Sequence, residues 1–355
     1  MSESRTGGAP EAAARAEPPT LKTIARATGL AVATVSRALG DAPDLRADTK
    51  ALVRRVADEL GYVPNRAGLR LRTGRTQVVA LVMSTEHDMM NHMARLISSI
   101  AGGLRATPYH LNVTPFFPGE DPLSPIRRIV EAGLADAVIF NQTEPEDPRV
   151  AWLMARGFPF ATHGRTVWAD RHPWADFDNA AWGRIGVRRL LAAGRRRIAL
   201  LAPPPGQNYA QDILAGVGRA AREGGAELLP LAATSDSPAP EVQAAVAQAL
   251  AEGADGIIGA STSSAMAAVA AAESRGLTVG RDVDLFSKEA IPFLSLFRPG
   301  IMAVREDVGR AGEVLARAAI RAIREPDAPP LQDLEVPQDD EGAPQAPATK
   351  RDETT

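Results

Sequence analysis

Short apolar runs alternate with helix-length segments through most of the chain after Thr76, and this alternation constrains the fold more than any other feature. The runs are continuous in apolar residues, which is typical of strands buried on both faces. We therefore predict parallel sheets flanked by helices. A second series of runs begins after a predicted turn at 176–179, so we expect two α/β lobes. The predicted strands are 78–83, 110–114, 137–141, 158–162, 197–201, 227–231, 256–260, 283–286 and 303–304.

Length and composition exclude several classes of protein. A chain of 355 residues predicts two or three domains, and 45% hydrophobic with 23% charged residues is typical of a globular protein. No apolar run approaches the ~18 residues that cross a bilayer, and no secretory signal is evident, so we expect a cytoplasmic protein. The sequence contains no cysteine, which excludes disulfides, thiolate metal sites and cysteine nucleophiles.

The charge is distributed unevenly along the chain. Residues 20–76 contain 11 Lys and Arg against 5 Asp and Glu, and the remainder carries a net charge of −9 within a total of −3. A basic segment on an acidic body is typical of a head that binds a polyanion such as nucleic acid. The alternative is a basic surface without a partner.

Three short helical patterns follow one another in this basic segment and stop at Gly29, Gly40 and Gly61. Three short helices with a tight turn between the first two are typical of a helix-turn-helix unit. We assign a head to 20–64, a hinge helix and linker to 65–76 and a body to 77–337, between disordered tails at 1–19 and 338–355. Within the body we expect lobe 1 at about 77–176 and 304–325, and lobe 2 at about 177–303 and 330–337. Helical spacing predicts a head core that includes Ile24, Val35, Leu39 and Val53.

Three segments resemble one known family. They are TLKTIAR at 20–26, TVSRAL at 34–39 and LGYVPN at 60–65, followed by Leu71. In this order and spacing they are similar to the head and hinge of the lactose-repressor (LacI) family of transcriptional regulators. The resemblance implies a DNA-binding head, a hinge helix and a two-lobed body like that of periplasmic sugar-binding proteins, assembled as a dimer or a dimer of dimers.

The resemblance places the second helix in the major groove of DNA, where base edges present distinct hydrogen-bonding patterns. Arg37 is long enough for a bidentate contact to guanine, which would make it the main base reader. Thr23 and either Arg54 or Arg55 are expected to contact phosphate, and Arg54 is the one we select. Ala31 and Arg46 occupy positions where the family usually has a helix cap. The other predicted contacts from the second helix are Val32, Ala33, Thr34 and Ser36.

The hinge begins near Asn65, and the family's wedge leucine corresponds to Leu71. Such a wedge unstacks a base step in the minor groove and bends the DNA. Gly68 replaces the family's alanine and costs a helix about 1 kcal/mol, so we expect a hinge that is marginal away from DNA. The alternative is a flexible basic linker without a wedge.

Polar side chains that follow the strands are expected to meet at a cleft between the lobes. Carboxylates, amides and arginine bind sugar hydroxyls, while aromatic rings cover sugar C–H faces. The first expected group is Asp88, Asn91, Gln142, His163, Arg165 and Trp168. Where the family has its usual effector contacts, this chain has Ser261-Thr262, Ile213 and Ser287-Lys-Glu289. Candidate replacements are Tyr209, Asp212, Lys288 and Glu289, with Gln207 nearby.

The sequence also bears on metal binding and on enzymatic chemistry. His87 and His92 are five residues apart, which does not stack two imidazoles on one helical face, so we expect no metal site. Glycoside hydrolysis needs two carboxylates that face each other across a cleft, and Asp88 with Glu289 is the candidate pair. No glycine-rich phosphate loop is present. We therefore expect no enzyme and no cofactor.

The sequence thus predicts a regulator of transcription that binds a near-palindromic operator, most simply as a repressor of carbohydrate uptake or breakdown genes controlled by a sugar. Two alternatives remain open at this point. One is a solute-binding or sugar-processing protein of the same two-lobed fold. The other is a regulator that responds to a nucleoside or a phosphorylated metabolite.

Overall fold

The structure, a computed structural model, describes residues 18–62, 68, 70, 74–85, 90–117 and 119–339, except the side chains of residues 90, 91 and 295. The chain divides between Arg75 and Thr76 into two compact units. The tails and most of the hinge segment lie outside the described residues. Among the described residues, no helix is long and apolar enough to cross a membrane.

The first unit contains three helices within its described part: α1 (Leu21–Thr28), α2 (Val32–Leu39) and α3 (Ala47–Glu59). Gly29 adopts a left-handed conformation, φ 71°, that ends α1 and allows the tight turn into α2. Ile24, Val35 and Val53 are fully buried and Leu39 packs against them, which confirms the predicted core.

Two of these helices begin without a side-chain cap. Thr20 and Thr23 form a reciprocal capping box at α1, but Ala31 and Arg46 provide no side-chain hydrogen bond to α2 or α3. A missing cap costs about 1 kcal/mol, so packing of the apolar faces stabilises the start of α2 and α3.

The second unit consists of two α/β lobes, as the sequence predicts. In the first lobe, parallel strands lie in the order β11-β5-β4-β3-β1-β2 among the described residues. Its strands are β1 (Val78–Ser84), β2 (His110–Phe116), β3 (Ala137–Phe140), β4 (Phe160–His163), β5 (Trp174–Phe177) and β11 (Gln332–Glu335). Its helices are α4 (Met90–Leu104), α5 (Leu123–Glu131), α6 (Pro148–Ala155) and α12 (Val308–Arg324).

The second lobe has parallel strands in the order β10-β9-β8-β6-β7 within the described part of the chain. Its strands are β6 (Arg197–Leu201), β7 (Glu227–Pro230), β8 (Gly256–Gly259), β9 (Asp284–Glu289) and β10 (Ile301–Arg305). Its helices are α7 (Asn179–Ala192), α8 (Asn208–Gly224), α9 (Ala239–Ala251), α10 (Thr262–Ser274) and α11 (Leu294–Phe297).

The structure corrects the predicted boundaries of the lobes in three places. The sequence predicts residues 330–337 in the second lobe, but β11 pairs in parallel with β5 of the first sheet. The predicted turn at 176–179 overlaps β5, a short strand that contains the polar Asp176 and so gives a weak apolar signal. The chain returns to the first lobe after β10, not at residue 304, because all of β10 pairs with β9.

Close contact between α7 and α8 is part of the second lobe's core. An ideal Cβ added to Gly216 on α8 would lie 2.2 Å from the Ala180 carbonyl oxygen on α7. Glycine is therefore required there for the two backbones to approach, since a backbone oxygen cannot rotate away.

Candidate functional site

The exposed side of α2 carries the residues predicted to read bases. Val32 is 41% exposed, and Ala33 and Arg37 are also exposed, while Thr34 and Ser36 are half-buried. Arg54 is exposed on α3, whereas Thr23 is half-buried and its Oγ1 accepts the Thr20 N–H at 3.1 Å. The two predicted hinge contacts, Asn65 and Leu71, lie outside the described residues.

Two acidic side chains in the loop between α2 and α3 pair with the basic residues of this surface. Asp44 forms an ion pair with Arg37. Asp41 lies 2.8 Å from an Arg54 guanidinium nitrogen and 3.2 Å from Lys50 Nζ. Hydrogen bonding and charge from Lys50, with the charge of Arg54, hold the pKa of Asp41 below its ordinary value. These carboxylates neutralise part of the cationic surface of the head, a pairing that the sequence analysis missed.

A cavity of about 260 Å³ lies between the two lobes of the second unit. Gln142, His163, Tyr209, Lys288 and Glu289 line it, as do Ser261 and Thr262, which stand where the family has its usual contacts. Asp88 lies outside the described residues and the side chain of Asn91 is not described. The other described lining residues are His92, Asn141, Thr143, Gly164, Asp176, Asn179, Ser235, Asp236, Ala260, Ser263, Met266, Ala290 and Glu306.

Arg165, Trp168 and Asp212 are not among the described lining residues. Arg165 instead pairs with Asp176 at 2.6 Å and with Asp212 at 3.1 Å, and Asp212 belongs to the other lobe. Trp168 packs against a buried apolar cluster that includes Phe140 and Phe160. The sequence predicts that these side chains lie near a cleft. It does not predict the direction in which each one points.

The loop after β3 forms one wall of the cavity. Gln142 has φ 53°, a left-handed backbone conformation that is uncommon for residues other than glycine. Its carbonyl oxygen accepts a 2.8 Å hydrogen bond from the Arg149 guanidinium. Arg149 is buried against Asp147. Backbone held in such a conformation by buried partners is frequent at ligand sites. Next to it, Asn141 is 4% exposed and its Oδ1 has no hydrogen-bond partner among the described residues.

A compact group of charged and imidazole side chains forms another wall. Lys288 Nζ lies 2.9 Å from Glu306 Oε2 and donates a 3.1 Å hydrogen bond to Asn179 Oδ1. His163 Nε2 lies 3.5 Å from Glu306 Oε1, and the rings of His92 and His163 stack with centroids 5.3 Å apart. The group therefore draws on both lobes.

Burial and charge act in opposite directions on these groups. Burial lowers the pKa of His92 to about 4, so this imidazole is neutral near pH 7. Burial alone would raise the pKa of Glu306, but Lys288, His163 and His92 outweigh it and hold that pKa well below its ordinary value. Glu306 is thus an ionised carboxylate whose counterion is the Lys288 ammonium.

The remaining wall is rich in hydroxyl groups and carries one further acid. Ser261 caps α10 by accepting the Ser264 N–H at 3.1 Å. Asp236 accepts a 2.8 Å hydrogen bond from the Ser235 hydroxyl, and burial raises the pKa of Asp236 above its ordinary value. This wall offers hydroxyl donors and acceptors with a carboxylate beside them.

The structure also bears on metal binding and on glycoside hydrolysis. His92, His163 and Glu306 offer three ligand atoms within 4.8 Å of one another, yet the ammonium of Lys288 already neutralises that carboxylate. Glu289 accepts hydrogen bonds from the backbone N–H groups of Phe293 and Leu294, which gives its carboxylate a structural role at α11.

Sequence reasoning missed His92 as a cavity residue, together with Asn141, Asp236 and Glu306. His92 lies on α4, so it follows no strand that the pattern could identify. Asn141 directly follows β3 and belongs to the polar run Asn141-Gln-Thr143 after that strand, from which only Gln142 is predicted as a contact. Glu306 directly follows β10, so the rule of polar residues after a strand applies to it as well.

Comparison with known proteins gives a consistent result. Residues 20–65 match the family described as bacterial regulatory proteins, lacI family, and residues 187–339 match the periplasmic binding protein-like domain. The HTH-type transcriptional regulator AglR of Rhizobium meliloti is 31% identical over 328 residues, which cover 89% of this chain and 91% of that protein. The HTH-type transcriptional regulator RafR of Escherichia coli is 34% identical over 192 residues, 53% of this chain and 56% of that protein.

Solved structures share the fold. The lac repressor dimer bound to operator and the anti-inducer ONPF has a TM-score of 0.78 at 21% identity, covering 91% of this chain and 97% of that one. The complex of the transcriptional regulator CelR with cellobiose has a TM-score of 0.66 at 23% identity, covering 90% and 98%.

Proposed function

The chain belongs to the LacI family of bacterial transcriptional regulators, and from that premise we propose a repressor of carbohydrate uptake or breakdown genes that is controlled by a sugar in the cavity between its lobes. The observation that carries the sugar assignment is the wall of the cavity itself, where hydroxyl, amide, imidazole and carboxylate groups converge from both lobes. Relatives named as regulators and the cellobiose bound to CelR support the same assignment.

In this proposal α2 enters the major groove. Arg37 makes the main base contact, and Val32, Ala33, Thr34 and Ser36 present the rest of the reading surface. Thr23 and Arg54 contact phosphate, which adds affinity without sequence information. Asn65 and Leu71 remain predictions for the hinge. A homodimer on a near-palindrome would place two such heads on successive major grooves.

Control requires that the effector bind one arrangement of the lobes more tightly than another, since equal affinity shifts no population. A cavity lined by both lobes allows such a difference in affinity, since Gln142 and His163 come from one lobe and Tyr209 and Lys288 from the other. A ligand that contacts both walls therefore changes the free energy of the lobe arrangement. Binding of this kind needs no chemical step, so we propose a regulator without enzymatic activity that acts in the cytoplasm, where the chromosome lies.

Gel shifts against genomic fragments test the proposal, with sugars added in a second series. We expect one near-palindromic site, with an affinity that falls steeply with salt because several phosphates are neutralised. Arg37→Ala should lose preference for that site over random DNA, whereas Arg275→Ala, an exposed arginine of the second unit, should not. Equal affinity for specific and random duplexes in the unaltered protein would refute the assignment.

A further inference from the structure

We propose that the cavity selects an uncharged polyhydroxylated effector and rejects its phosphorylated counterpart, with Asn141, His92 and Asp236 as the residues that bind effector hydroxyls. This inference rests on the proposed function and deepens it. It decides between the sugar and the phosphorylated metabolite that sequence alone left open, and it concerns residues that the sequence analysis did not identify as effector contacts.

The cavity offers no unpaired cation for a phosphate among its described lining residues. Lys288 is the one Lys or Arg of that lining, and its ammonium pairs with Glu306 at 2.9 Å and donates to Asn179 at 3.1 Å. The same ammonium lies over the rings of Phe177 and Tyr209, at 5.3 and 5.7 Å from their centroids. To bind a phosphate, Lys288 would have to leave a buried carboxylate without its counterion, which is costly.

Helix N-termini are the other usual source of positive potential for a phosphate. Helices α7, α8 and α10 begin beside described lining residues, and an N–H at each of these starts already has an acceptor. At α8 no side chain caps the helix, but the Thr143 carbonyl oxygen accepts the Asn208 N–H at 2.7 Å. Ser261 accepts a backbone N–H at the start of α10, and Asp178 accepts one at the start of α7. The Asp178 acceptor is a carboxylate, which offsets the positive potential of that helix end.

Carboxylates outnumber cations around the described wall. Asp176, Asp236, Glu289 and Glu306 all line the cavity beside the single Lys288. Asp176 pairs with Arg165, and Asp236 forms no ion pair among the described residues, its carboxylate accepting the Ser235 hydroxyl. A phosphate dianion would lie among these like charges, whereas a hydroxyl can donate a hydrogen bond to any of them.

Buried polar atoms without a hydrogen-bond partner identify the protein groups that would bind effector hydroxyls. Asn141 Oδ1 and His92 Nε2 are buried at the cavity wall and have no hydrogen-bond partner among the described residues. An amide oxygen can only accept a hydrogen bond, and a phosphate dianion has no proton to donate. A sugar hydroxyl satisfies Asn141 Oδ1 as a donor and His92 Nε2 in either role, so a hydroxyl, and not a phosphate dianion, fits opposite Asn141 Oδ1.

The experiment compares matched ligands on the full chain by calorimetry. Glucose, maltose, trehalose and sucrose form the neutral set, their 6- or 6′-phosphates form the charged set, and a 6-O-acetyl derivative of each sugar that binds controls for bulk. We expect the phosphorylated member to bind at least 100-fold more weakly than its neutral partner, and the acetylated member to lose less. Equal or tighter binding of the phosphate, or equal loss with the acetyl group, overturns the proposal.

Variants then test the individual residues. Glu306→Gln keeps the shape and frees the Lys288 ammonium, so the ratio between neutral and phosphorylated affinity should fall at least tenfold. Asn141→Leu and Asp236→Asn should each weaken the neutral sugar at least tenfold. Asn141→Leu should leave the melting temperature of the ligand-free protein unchanged or higher, because it removes a buried unpaired acceptor. Asp327→Asn, on an exposed loop, is the control.

The outcomes separate this inference from the proposed function. A phosphorylated sugar that binds better and alters the gel shift leaves a sugar-controlled regulator and overturns the charge selection. Failure of every sugar in both sets, with operator binding intact, overturns the sugar effector and this inference together. Unchanged affinity in Asn141→Leu and Asp236→Asn overturns the assignment of those residues.

Discussion

The Arg165 guanidinium and the Asp212 carboxylate form a 3.1 Å ion pair that joins the two lobes. Arg165 follows β4 of the first lobe, and Asp212 lies on α8 of the second. Beside this pair, the Asn208 N–H at the start of α8 donates a 2.7 Å hydrogen bond to the Thr143 carbonyl oxygen at the cavity wall. The contact between lobes is therefore continuous with the effector cavity.

Arg165→Gln should destabilise the protein more than Asp212→Asn. Arg165 also neutralises Asp176, which is 8% exposed, so its loss leaves a buried carboxylate unpaired at a cost of about 3 kcal/mol. Asp212 is partly exposed, and its loss should cost about 1 kcal/mol or less. Urea unfolding followed by tryptophan fluorescence measures this, since all four tryptophans lie after Thr76. Equal costs would contradict the ranking, and Glu273→Gln in an exposed pair with Arg298 is the control.

Asp44→Asn should strengthen DNA binding at low salt. The variant removes the carboxylate that pairs with Arg37 and also removes a negative charge from a surface that must approach phosphates. We expect two- to tenfold tighter binding, with the difference shrinking as salt rises, measured by fluorescence anisotropy against specific and random duplexes. Weaker binding would show instead that Asp44 orients Arg37 toward a base. Asp170→Asn, exposed in the second unit, is the control.

Gly216→Ala and Gly218→Ala should change stability in opposite directions although both lie on α8. The first places a Cβ 2.2 Å from the Ala180 carbonyl oxygen, and overpacking against backbone costs about 1–3 kcal/mol. The second places it 3.4 Å from the flexible end of Arg222, so the helix gains the propensity of alanine, about 0.5–1 kcal/mol. Thermal unfolding of both variants tests this, and a stable Gly216→Ala protein would refute the close packing of α7 on α8.

Acid should destabilise the protein first through two buried histidines, His92 and His172, because burial lowers the pKa of each. For His92 the shift is large. The folded-state pKa of about 4 is below the ordinary 6.5, so the unfolded chain binds the proton more readily and stability falls as the pH drops from 6.5 to 4. Glu306, with its pKa lowered, loses its contribution further down, as the pH falls through its folded-state value. Asp212 and Asp236 have raised pKa values and act in the opposite sense.

His92→Gln isolates the histidine from these other groups. Between pH 6.5 and 4.5 the unaltered protein should lose up to about 2 kcal/mol more than the variant, the difference being the cost of charging a buried imidazole. Unfolding curves at a series of pH values measure that difference. Parallel pH profiles would mean that His92 is accessible to water and protonates freely in the folded state.

Much of the fold could be predicted because its signals are local. Helix α2 begins at Val32 and ends at Leu39, and β6 spans Arg197–Leu201, both as the apolar pattern indicates. The strands that were missed, β5 and β11, are four residues long and contain Asp176 or Asp333. Their apolar signal is weak, and pairing makes them strands: β5 pairs with β4 on one side and β11 on the other, and β11 pairs with β5, which lies more than 150 residues earlier in the chain.

The sequence by itself determined the order of head and body, the helices of the head, most strands of two parallel sheets and the charge difference between the units, because periodicity, glycine stops and composition act over a few residues. Only the tertiary structure decided which polar groups pair. Lys288 meets Glu306 and Arg165 meets Asp212 through contacts between segments that are distant in sequence or belong to different lobes. Whether a charge is free for a ligand depends on those partners, and burial then decides how much each pairing is worth.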